Sequence, residues 1–108
     1  MDFPTILKIA LSRANTLLEM TSQTDTETIG AVWIEFDRTE YNTRFVEYLN
    51  KNCEDGEVFG FNFYPCIAGF EMNALYARSM ATVFNEYNIS CEAHAVEIEE
   101  EDNDYPLS

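Results

Sequence analysis

Apolar positions recur along this chain with two different periods, and the switches between them mark its elements. In "DFPTILKIALSRANTLLEM" (residues 2–20) Ile6, Leu7, Ala10, Ala14, Leu17 and Leu18 fall three or four apart, the spacing of one helix face. Asp2 is placed to cap that helix and Pro4 fits its first turn. A loop rich in Thr, Ser and Asp follows in "TSQTDTETIG", residues 21–30. The period then falls to two. In "AVWIEFD" (31–37) Val32, Ile34 and Phe36 take one side and Trp33, Glu35 and Asp37 the other, which predicts a strand with one buried face.

"RTEYNTRFVEYLNKNC" (38–53) returns to helical spacing through Tyr41, Phe45, Tyr48 or Leu49, and Asn52, and Gly56 in "EDGE" supplies a turn. "EVFGFNFY" (57–64) reads as a second strand, with Phe59, Phe61 and Phe63 facing the core, ended by Pro65. "GFEMNALYARSMATVFNEYN" (69–88) predicts a third helix through Met72, Leu75, Tyr76, Ser79, Met80, Val83, Phe84 and Tyr87. "ISCEAHAVEIE" (89–99) predicts a last strand. The alternation in the first two strands implies helices on one side of the sheet only. The expected fold is therefore α+β (or small α/β), a two-layer domain of about three helices on a three-stranded sheet. Residues 1–98 form its single domain and 99–108 an acidic, flexible tail.

With 46% apolar residues in 108, the chain has material for one modest core. Neither a secretory leader nor an apolar run of membrane-spanning length is visible, which predicts a soluble cytoplasmic protein. Cys53, Cys66 and Cys91 are odd in number and widely spaced, so buried, reduced thiols are expected.

Charge changes the picture most. Twenty acids face six bases, for a formal net charge of −14. Residues 1–78 hold 12 acids and all 6 bases; residues 79–108 hold 8 acids and no base. Self-repulsion of this size opposes compaction, and it makes nucleic acid and anionic membrane poor partners and a basic protein surface a good one.

Candidate chemistry narrows in the same direction. His94 is the sole histidine, and on a strand Cys91 and His94 would point to opposite faces, which ill suits a nucleophile and its base. The cysteine spacing lacks the close pair of a zinc site, "EEEDND" lacks the glycine and terminal glutamate of a calcium loop, and no phosphate-cradling or nucleophile-elbow motif occurs. No catalytic, cofactor-binding or metal-binding residue is assigned, and the chain reads as a non-enzyme.

Partner binding remains. Alternate residues of a strand project from one face about 6.6 Å apart. Glu35 and Asp37 have this relation beside Trp33, and Glu97, Glu99 and Glu101 would form a second such row if the last strand continues through them, with Glu100 and Asp102 adding charge. That interval is close to the spacing of phosphates along a nucleic acid, so such rows suit a Lys/Arg surface made for phosphates. Trp33 and Tyr105 are the expected anchors, with Tyr41 and Tyr64 as further exposed aromatics.

In size, charge and lack of motifs the chain resembles small acidic inhibitors encoded by phages, plasmids and toxin systems. The resemblance implies a DNA mimic of the anti-restriction or anti-CRISPR type, acting on a nuclease or nucleic-acid-guided effector. An immunity protein that neutralises a basic toxin nuclease is the second reading. An adaptor domain that dimerises through its free sheet face is the third. Breadth of charge favours the mimic; one patch around aromatic anchors would favour immunity.

Overall fold

The computed structural model describes residues 2–21, 28–67 and 69–98. Its elements are α1 (Phe3–Glu19), β1 (Ile29–Phe36), α2 (Glu40–Asn52), β2 (Gly56–Phe59), β3 (Asn62–Pro65), α3 (Phe70–Glu86) and β4 (Cys91–Ile98). The strands form one antiparallel sheet in the order β2-β3-β1-β4, so the domain is α+β with three helices and four strands. From β1 onward the chain follows the split β-α-β-β-α-β pattern, with β3 and β4 flanking β1.

The fourth strand corrects the sequence expectation. Residues 56–65 form a hairpin in which Phe59 pairs with Asn62 across Gly60 and Phe61. Gly60 takes φ +63° while Phe61 does not, the sign pattern of a II′ turn, and only glycine enters that region without a steric cost. A two-residue turn also changes the parity of the strand. Phe63 is fully buried, Phe61 is half-buried under the Arg38 guanidinium (4.9 Å from its ring centre), and Phe59 is 60% exposed on the opposite face.

Helix ends follow local chemistry. The Asp2 carboxylate accepts from Thr5 N–H at 3.1 Å, and hydrogen bonding from Thr5 holds its pKa below the usual carboxylate value. Thr39 caps α2 by accepting from Asn42 N–H at 3.0 Å. At the end of α3, Asn88 adopts φ +69°, Ile89 N–H donates to Phe84 O at 2.9 Å and Asn88 N–H to Asn85 O at 3.2 Å, the double closure of a Schellman motif. The Asn85 side chain then grips the backbone of Cys91 from both sides, donating to its carbonyl at 3.0 Å and accepting its N–H at 3.2 Å. One helix terminus thus sets where β4 begins.

The inner face of the sheet (Val32, Ile34, Phe36, Phe63) packs against α2 and α3, and α1 lies along α3. Phe36, Phe45 and Phe84 meet in a cluster whose closest pair, Phe45 and Phe84, is edge-to-face at 4.9 Å, and Phe3 extends it at 5.1 Å from Phe45. Tyr41, an exposed aromatic by expectation, packs on Phe3 at 5.5 Å and is half-buried. Gly30 sits under α3, where a Cβ would run into the Phe70 ring and the Val96 carbonyl. No described helix is long and apolar enough to cross a membrane.

Candidate interaction surface

Among the described residues no helix covers the outer face of the sheet. Strand register places its side chains in rows. Glu57, Tyr64, Trp33 and His94 lie side by side from β2 to β4, and Phe59, Asn62, Glu35 and Glu92 form the next row. Ala31 with Val96, and Ile29 with Ile98, extend the face toward the start of β1. Among the described residues six large apolar side chains are exposed, and five of them (Ile29, Phe59, Tyr64, Val96, Ile98) belong here, so the apolar exposure is one patch.

The aromatic groups touch in sequence. Phe59 meets Tyr64 edge-on at 5.8 Å, Tyr64 lies 6.1 Å from Trp33, and the His94 ring stacks on Trp33 at 5.1 Å. His94 Nε2 lies 3.0 Å from Glu35 Oε1, which turns the imidazole along the sheet. Glu35 and Glu92 stand directly opposite each other on β1 and β4, an arrangement of like charges that disfavours the free protein and favours a bound cation. All six Lys and Arg residues lie outside the strands, at positions 8, 13, 38, 44, 51 and 78. The sheet therefore presents aromatic rings and carboxylates with no Lys or Arg of its own.

Of the expected binding residues, Trp33 and Glu35 are on this face. Asp37 follows directly after the end of β1 at Phe36; its backbone N–H donates to Ser90 O and its carbonyl accepts from Thr39 and Asn42. Glu97 pairs with Gly30, whose missing side chain would point at Phe70, so Glu97 projects on the helix side of the sheet, away from Trp33. The second row expected from Glu97 thus begins on the other side of the sheet from Glu35. Glu99, Glu100, Glu101, Asp102 and Tyr105 lie outside the described residues, as does the proposed tail. Phe59, Glu57, Glu92 and His94 are members that sequence reasoning missed. The exposed Val96 and Ile98, which alternate with carboxylates, were the available hint that β4 offers an apolar face to the outside.

The remaining candidate chemistry is structural. The Tyr76 hydroxyl donates to Asp55 Oδ2 at 2.8 Å, and burial, reinforced by that carboxylate, raises its pKa well above the usual tyrosine value. Burial likewise raises the Cys53 thiol, and it pushes Cys91 up to about 12 with a smaller contribution from the charge of Asp37. Neither thiol is an activated nucleophile. Among the described residues no group of three His, Cys, Asp or Glu side chains is arranged to hold a metal. Comparison with protein-family models, curated proteins and solved structures finds no match to this chain.

Proposed function

We propose that this chain is a non-enzymatic inhibitor that docks the outer face of its sheet on the basic, nucleic-acid-binding surface of a nuclease or related effector. The observation that carries this reading is the coincidence of the aromatic row Phe59-Tyr64-Trp33-His94 with Glu35, Glu57 and Glu92 on a sheet without Lys or Arg. Aromatic rings supply affinity in the desolvated centre of an interface, while the carboxylates set approach and orientation and exclude anionic competitors. Concentration of these groups in one patch supports anchored docking of the immunity type over imitation of a phosphate row, since Glu97 projects on the other side of the sheet. Dimerisation through the same face would bring together two surfaces that each carry Glu35, Glu57 and Glu92 and no Lys or Arg, which disfavours the adaptor reading.

The test compares wild type with Trp33→Ala and with the pair Glu35→Lys/Glu92→Lys as baits in a host lysate, followed by assay of the captured protein. Wild type should retain one basic nuclease in stoichiometric amount, silence it, and release it as salt rises. The variants, folded by circular dichroism, should not. Equal capture by the variants, or a captured enzyme that remains active in the complex, refutes the proposal.

A further inference from the structure

β1 is a central strand whose β3 side is only partly paired among the described residues. Phe36 N–H donates to Phe61 O on the β3 side, and Asp37 N–H donates to Ser90 O on the β4 side. Alternation along the strand therefore turns the backbone groups of Gly30 and Val32 toward β3. The paired register with β3 covers only Ile34 with Phe63 and Glu35 with Asn62. Beyond it stands Pro65, which has no N–H to give Val32 O. The next two amides turn elsewhere: Cys66 N–H to Asp55 O at 2.8 Å and Ile67 N–H to the Asn73 carboxamide at 3.2 Å. Among the described residues no backbone donor or acceptor reaches Gly30 from that side.

The space where β3 would have continued is an open cavity of about 610 Å³. Ile29, Tyr64, Pro65 and Phe70 supply apolar walls, Glu57 and Asn73 polar ones, and no Lys or Arg lines it. A strand edge whose donor and acceptor meet no described partner, beside a partly apolar cavity, is the geometry of strand addition, in which backbone bonding gives affinity and the cavity selects a side chain.

We propose that this slot receives an extended, cationic segment of the partner, antiparallel to β1 and in line with β3. One residue exchanges both backbone hydrogen bonds with Gly30, and an apolar neighbour fills the cavity. The sign of the charge rests on the basic-partner reading above and on Glu57 in the wall; the backbone geometry is independent of that reading.

The probe is a capped peptide, acetyl-Lys-Arg-Val-Ile-Val-Arg-Lys-amide, titrated into ¹⁵N-labelled protein, alongside the same peptide N-methylated at its central Ile. The Gly30 amide should shift and become protected from exchange on adding the first peptide. The methylated peptide, equal in charge but lacking one donor, should bind several-fold more weakly. Alkylating the exposed Cys66 with N-ethylmaleimide fills the cavity mouth and should abolish the Gly30 shift. An unmoved Gly30 amide, or equal binding of the methylated peptide, overturns the inference. Shifts confined to the Trp33 indole and His94 overturn it too, while leaving the proposal for the sheet face standing.

Discussion

Asn42 is 1% exposed and ties α2 to both strands at one end of the β1–β4 pair. Its Nδ2 donates to Asp37 O at 2.9 Å and Ser90 O at 3.0 Å, with the Ser90 hydroxyl at 3.3 Å, while its Oδ1 has no partner among the described residues. Replacing it by Ala removes two bonds of about 1 kcal/mol each. Both carbonyls keep a backbone donor, since Thr39 N–H reaches Asp37 O at 3.0 Å and Asp37 N–H reaches Ser90 O at 3.1 Å. Loss of the unpartnered Oδ1 returns about 1 kcal/mol, and the small void left behind costs a similar amount. The expected destabilisation by Asn42→Ala is about 2 kcal/mol, or roughly 10 °C in Tm.

Asn42→Asp has nearly the same shape and the opposite chemistry. A carboxylate oxygen would face two carbonyls where a donor stood, at a cost of about 4 kcal/mol near neutral pH. Because burial would raise the folded-state pKa of the introduced acid above its unfolded value of about 3.9, the excess penalty should be present at neutral pH. It should fade as pH falls through the folded-state pKa, where the protonated acid can donate to one carbonyl. Urea unfolding followed by the single Trp33, run on both variants over a pH series, measures this difference and cancels the rest of the titration. If Asn42→Asp is no worse than Asn42→Ala at neutral pH, or if their gap does not narrow in acid, the amide does not act as a buried donor and the reasoning fails.

Burial should separate two phenylalanines of similar chemistry. Phe84→Ala, at the centre of the Phe36–Phe45 cluster, should cost about 3–5 kcal/mol in the same assay, whereas Phe59→Ala on the outer face should stay within about 0.5 kcal/mol. The depressed pKa of Asp2 means that its cap stabilises above the unfolded carboxylate pKa and is lost as pH falls through the folded one. The Tm gap between wild type and Asp2→Ala should therefore close on acidification. With maleimide under native conditions Cys66 should react first, and Cys53 and Cys91 only with unfolding, as read by mass spectrometry of digests.

Local signals carried much of this fold. Ile6, Leu7, Ala10 and Ala14 are spaced for one helix face and Asp2 caps it, so α1 could be read where it stands. The period-two pattern located β1 and gave its buried face correctly. The hairpin escaped because Phe59, Phe61 and Phe63 keep counting in twos through a turn of two residues, and only Gly60 marks the reversal. The interaction surface was legible as Trp33 and Glu35, but its other half depended on pairing between distant residues. Nothing local to His94 says that it will stack on Trp33, and nothing local to Glu97 says that it will oppose Gly30.

That same pairing orders events when the chain is made. Every β1 partner on β4 lies at least half the chain away, so a ribosome that has delivered β1, α2 and the hairpin has produced a sheet still missing one side. Closing so long a loop is entropically costly and slow, and until it closes Ile34 and Phe36 lack their β4 neighbours Ala93 and Cys91. Folding of this small domain is thereby tied to the arrival of its last described strand. During that interval the nascent chain is most exposed to chaperones and to wrong strand partners.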